Sequence, residues 1–74
     1  MWSKQDEDIL FDMIDQFCTV EQMAEELKRY PYGIVTRLCK FLEKKELIYV
    51  ITAELFDVAV RELIEWVDIQ DKYE

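Results

Sequence analysis

Few residues in this chain have the chemistry to catalyse a reaction or hold a metal. There is no histidine, Ser3 is the single serine, and the two cysteines, Cys18 and Cys39, stand far apart with no paired-cysteine motif. Catalysis requires a cleft with convergent polar groups and perturbed acids or bases. Here the carboxylates are spread over stretches that read as solvent faces, so the chain is not expected to be an enzyme. No cofactor is expected, and without soft ligands at close spacing no zinc site can be built from one chain. Both cysteines sit among apolar neighbours and read as small buried hydrophobes that stay reduced, as cytosolic thiols do.

The chemistry that remains is charge. Seventeen acids against nine bases leave a formal net charge of −8. That sum opposes nucleic acid, because phosphate neutralisation supplies most non-specific affinity and an acidic protein is repelled at long range. Its distribution says something else. Residues 28–45 hold Lys28, Arg29, Arg37, Lys40, Lys44 and Lys45 against Glu43 alone, while both flanks are strongly acidic. A basic block of this kind is a candidate surface for a polyanion.

The elements that must carry the block follow from hydrophobic spacing. Ser3 is a good N-cap, and Asp6, Glu7 and Asp8 suit the positive end of a helix dipole, so a first helix is expected over about 4–17. Its inner face is Ile9, Leu10, Met13, Ile14 and Phe17, with Phe11 off that face as a scattered exposed residue. Thr19-Val20-Glu21-Gln22 has the form of a capping box and opens a second helix, about 20–28, with Val20, Met23, Ala24 and Leu27 inward. The chain's one proline and one glycine, in Tyr30-Pro31-Tyr32-Gly33, then interrupt the pattern. Proline suits a first helical turn, so a third helix is expected over about 32–45. Ile34, Val35, Leu38, Phe41 and Leu42 point inward there, and Gly33, Thr36, Arg37, Lys40 and Lys44 point away. Leu47-Ile48-Tyr49-Val50-Ile51 is β-branched and aromatic and reads as one short strand, about 47–51. It must pair with the stretch around Cys18 or with its mate in a second subunit.

Thr52 is placed to cap a fourth, long helix over about 53–72. Two apolar ridges run along it: Phe56, Val60, Leu63 and Val67, and beside them Leu55, Ala59, Trp66, Ile69 and Tyr73. A helix packed on one side of a small domain needs only one such ridge. The second predicts a homodimer. That agrees with size: 74 residues make one domain, 1–74, that buries only about 60% of its unfolded surface and gains from oligomerisation. No apolar run is long enough for a membrane span, and the acidic amino terminus is unlike a signal peptide, so a cytoplasmic, intracellular protein is expected.

The segments Thr19–Leu27 and Ile34–Ile48, with Ala24 in the second helix and Val35-Thr36-Arg37 in the third, resemble the core of the winged-helix and helix-turn-helix transcription regulators of bacteria, archaea and their viruses. About thirty residues carry the likeness. It implies a mainly α fold with a helix-turn-helix. This chain departs from the family in its wing, reduced or absent because Thr52 opens a helix where a hairpin belongs, and its two apolar ridges make the long C-terminal helix the expected dimerisation element. It also implies sequence-specific binding of double-stranded DNA by a homodimer. The outward side of the third helix would enter the major groove, with Arg37 reading a base, Thr36, Lys40 and Lys44 on phosphates, and Tyr30 and Tyr32 on the backbone. The other reading is a protein-interaction module on the same scaffold, without DNA binding, whose acidic flanks or tyrosines dock on a protein partner such as a polymerase subunit or host factor, or mimic DNA.

Overall fold

The structure is a computed structural model that describes residues 2–72. Among the described residues five helices follow one another: α1 Lys4–Asp15, α2 Val20–Leu27, α3 Pro31–Leu42, α4 Leu47–Val50 and α5 Val60–Lys72, with a 3-10 turn at Ala53–Leu55 before α5. The fold is mainly α. Among the described residues there is no strand, and the one β-bridge joins Thr19 to Ala59.

Two helix starts are built as their sequences dictate. The Ser3 hydroxyl accepts from the Asp6 N–H at 3.1 Å, and the Asp6 carboxylate accepts from the Ser3 N–H at 3.5 Å. At α2 the Thr19 hydroxyl accepts from the Gln22 N–H at 3.1 Å and the Gln22 side-chain carbonyl accepts from the Thr19 N–H at 2.9 Å. Each box satisfies two backbone donors that a helix end otherwise leaves open.

The helix ends use a device with no sequence signature. Phe17, Lys28 and Glu43, at the ends of α1, α2 and α3, all take positive φ between 55° and 59°. This left-handed step lets the Cys18 N–H reach back to the Met13 carbonyl at 3.0 Å and the Lys44 N–H to the Cys39 carbonyl at 3.0 Å, satisfying carbonyls of the last turns. Glycine normally occupies that step. The chain's one glycine, Gly33, instead lies inside α3 without positive φ. As a result α1, α2 and α3 stop at Asp15, Leu27 and Leu42, short of the expected 17, 28 and 45.

The core lies where the helices meet, α2 against α3, α3 against α4, α4 against α5, and α1 against α2 and α5. Leu10, Val20, Met23, Ile34, Leu38, Leu47 and Val60 are fully buried at its centre. Burying a side chain of this class stabilises the fold by about 1.5–3 kcal/mol. Phe41 departs from its expected inward position. It is partly exposed at the end of α3, its ring edge-on to Phe11 at 5.6 Å, so the off-face Phe11 has a partner.

Two larger corrections concern the second half. The expected strand at 47–51 is the helical turn α4: Val50 N–H donates to Glu46 at 3.1 Å and Ile51 N–H to Leu47 at 2.8 Å. A strand here has no neighbour to bond, whereas one helical turn satisfies its polar groups within the segment. It also places Leu47 and Ile51 in the core with Val50 packed against it, leaving Ile48 and Tyr49 outside. The second correction is that the long helix expected from residue 53 begins only at Val60. Residues 56–59 turn and bend against the start of α2, where Val60 N–H donates to the Cys18 carbonyl at 2.9 Å and Glu21 N–H to the Phe56 carbonyl at 3.2 Å. The stretch around Cys18 does pair, but with residues 59 and 60, and not with 47–51.

The first apolar ridge, Phe56, Val60, Leu63 and Val67, is buried. Of the second, Leu55 and Ala59 are half-buried and precede α5, Trp66 and Ile69 are about half exposed at 50% and 52%, and Tyr73 lies outside the described residues. No helix among the described residues is long and apolar enough to cross a membrane.

Candidate nucleic-acid interface

The outward side of α3 was expected to present six residues. The fold leaves them in different situations. Tyr30, the α3 N-cap, projects into solvent at 87% exposure. Tyr32 is exposed too, but its ring stands edge-on to Phe56 at 5.2 Å and is anchored toward α5. Thr36 is exposed, and its hydroxyl donates to the Tyr32 carbonyl at 2.8 Å, one helical turn back. Its single proton is therefore spent inside α3, and it can accept a hydrogen bond from a ligand but not donate one to phosphate.

The cations divide into paired and unpaired. Arg37 is only 17% exposed: its Nη2 lies 3.3 Å from Glu7 Oε1 and its guanidinium carbon 5.2 Å from the centre of the Trp2 ring. Its Nε is buried without an acceptor among the described residues. Lys44 reaches across to the Asp68 carboxylate on α5. Lys40 is exposed and, like Lys28 and Lys45, has no ion pair among the described residues.

The sequence counts Arg29 only as part of the basic block and gives Trp2 no role. Arg29 Nη2 donates to Asp6 Oδ2 at 2.7 Å while its guanidinium carbon lies 4.2 Å from the Trp2 ring centre. The Arg29 hydrogen bond holds the Asp6 carboxyl below its usual range. Trp2 stands just before the N-cap, where an apolar residue commonly packs onto the fourth residue of the helix. That residue is Glu7, so the ring takes two guanidiniums instead. The signal in the sequence was this mismatch, an aromatic residue before the cap with an acid where its apolar mate belongs.

Two open grooves run along the outward side of α3 and share Thr36 and Lys40. One, of about 470 Å³, is lined by Trp2, Gly33, Thr36, Arg37 and Lys40. The other, of about 540 Å³, adds Cys39, Glu43 and Lys45. A Cβ on Gly33 would meet nothing within 4 Å, so the helix backbone is open to close approach there. Partial burial raises the Cys39 thiol above its ordinary value.

No family model, curated protein or solved structure matches the chain.

Away from α3, an apolar groove of about 490 Å³ is lined by Tyr49, Val50, Leu55, Leu63 and Trp66. Leu55 and Trp66 belong to the ridge that the sequence assigns to a dimer contact; Tyr49 and Val50, on the expected strand, do not. Among the described residues no group of three or more histidine, cysteine or acidic side chains is gathered to hold a metal ion. Cys18 and Cys39 are both free and partly buried.

Proposed function

We propose that this protein is a DNA-binding regulator of helix-turn-helix type, in which α2 supports α3 and the outward side of α3 enters a major groove. The observation that supports this best is the Gly33-Thr36-Lys40 stripe. It is solvent-facing, bordered by open grooves, and carries a lysine with no ion pair among the described residues, on a chain that is otherwise strongly acidic. Lys28, Lys40 and Lys45 supply the phosphate contacts that fix position, and Tyr30 at the helix start adds a hydroxyl for the backbone. Arg37 is the base reader, released from its present partners on binding.

The protein acts as a homodimer through the apolar surface of α4 and α5, with Tyr49, Leu55, Trp66 and Ile69 in the contact. The half-exposed Trp66, beside the exposed Tyr49 at the groove, is the kind of aromatic anchor that dominates interface energetics. Two-fold pairing gives two half-sites about one helical turn apart.

Selection from a random duplex library at low salt tests the reading. The expected result is an enriched, two-fold related sequence, with relaxed preference at one position per half-site for Arg37→Ala and uniformly weaker binding for Lys40→Ala. A second reading is favoured by a specific observation: Arg29, Arg37 and Lys44 already have acidic partners within the chain, which lowers the field available to DNA. On that reading the scaffold is a protein-interaction module and the apolar groove takes a protein partner. Selection that enriches nothing, with sedimentation showing a monomer at micromolar concentration, would replace the first reading by the second.

A further inference from the structure

A cluster of charged and aromatic side chains, Trp2, Asp6, Glu7, Arg29 and Arg37, joins the start of α1 to the end of α2 and to α3. Glu7 and Trp2 occupy Arg37 as a DNA ligand would: a carboxylate stands where a phosphate oxygen would stand, and an aromatic face covers the cation. The contact is built on the first turn of α1, fixed by the Ser3 capping box, so Glu7 is presented by a rigid element. Arg29 braces the other side of the arrangement, stacked on Trp2 and bonded to Asp6.

We infer that Trp2 and Glu7 are positioning residues that hold Arg37 against the domain, so that DNA binds only by drawing this guanidinium away from them. This rests on the DNA-binding reading and adds the regulation of its site. The hold is incomplete, because Arg37 Nε is buried with no acceptor among the described residues. A buried charged donor without a partner is costly, and guanine O6 and N7 or a phosphate supply the acceptors that the domain withholds. The contact therefore opposes binding without forbidding it. It discriminates as well: a ligand that offers Arg37 nothing better than Glu7 leaves it in place.

One cation–π contact and one partly exposed ion pair are each weak, so releasing either should tighten binding by about three- to tenfold. The test measures affinity for a labelled duplex at low salt by fluorescence anisotropy. Its variants are Glu7→Gln, Trp2→Ala, Arg37→Ala and the Glu7→Gln/Arg37→Ala double. Glu62→Gln on α5 makes the same change in net charge away from Arg37. Circular dichroism confirms that each is folded, and Glu7→Gln carries the test if Trp2→Ala is not. The expected result is tighter binding by Glu7→Gln and Trp2→Ala than by Glu62→Gln, with the gain abolished when Arg37 is absent. A purely structural role for Trp2 and Glu7 gives loss of affinity or none. If wild type binds but Glu7→Gln gains no more than Glu62→Gln, or keeps its gain without Arg37, the inference fails and the DNA reading stands. If no variant binds any duplex at low salt, both fail.

Discussion

Replacing Glu43 by glycine should make this protein more stable, although it removes every contact that the glutamate side chain makes. Glu43 ends α3 with φ 56° and ψ 34° and is exposed. A non-glycine residue in the left-handed region costs roughly 1–2 kcal/mol. Glycine removes that cost but loses more conformational freedom on folding, which returns roughly 0.5–1 kcal/mol. The side chain also places a negative charge at the negative end of the α3 dipole, unfavourable by about 0.3–1 kcal/mol at an exposed site. No ion pair involving Glu43 is present among the described residues to set against these terms. The net gain is about 1 kcal/mol, which for a domain of this size raises Tm by roughly 4–8 °C. Thermal and urea unfolding followed by circular dichroism measure it, with an unchanged urea slope showing that the two-state comparison holds. Glu43→Ala separates the causes, since alanine removes the charge but stays strained at positive φ. An alanine variant as stable as the glycine variant, or a glycine variant no more stable than wild type, would refute the backbone argument.

Other perturbations address other parts of the structure. Leu47→Ala should cost about 2–5 kcal/mol while Tyr49→Ala costs little, because α4 buries the first and leaves the second 84% exposed. Alternation on a strand would put both on one face, so comparable losses in urea unfolding would return 47–51 to extended structure. Thr19→Ala should destabilise by about 1 kcal/mol through loss of the α2 capping box, read by the same assay, and no change would mean that the cap is redundant. Cys39 should alkylate at pH 8 more slowly than an unstructured cysteine peptide, since burial raises its thiol and leaves less thiolate; equal rates would contradict this. Asp6 is held below the usual aspartate value of 3.8, so its contribution is whole above that pH and fades as the pH falls through the lower folded value. Wild type should lose its advantage over Asp6→Asn in that acid window, and a constant difference between the two would dispose of the ion pair as its source.

What the sequence revealed and what it hid follow one physical division. Contacts between near neighbours were legible. The Ser3 cap, the Thr19–Gln22 capping box, the inward positions Leu10 and Ile14 of α1 and Val20, Met23 and Ala24 of α2, and the buried ridge through Phe56, Val60, Leu63 and Val67 all come from spacing within a few residues. Phe17, expected inward, instead lies past the end of α1 and is exposed. Helix ends were not legible, because Phe17, Lys28 and Glu43 adopt a glycine conformation without being glycine. The run 47–51 misled because β-branched residues report a pleated, half-buried surface only when a neighbouring strand exists to supply it. At the candidate interface, segment charge located the basic block but not its neutralisation. Asp6, Glu7 and Asp68 are remote along the chain from Arg29, Arg37 and Lys44, and only folding brings each pair together.

The bridge between Thr19 and Ala59 also bears on how the molecule assembles. It closes a loop that contains α2, α3, α4 and the 3-10 turn, so its backbone bonds join parts of the chain that are remote in sequence. Closing a long loop costs entropy before its contacts repay it, so the seating of α5 is expected to come late and to be lost early on local opening. The Val60 amide, bonded to the Cys18 carbonyl, marks that event at a single atom. Its exchange with solvent deuterium, compared with that of amides inside α3, separates the undocking of the last helix from the unfolding of the whole chain.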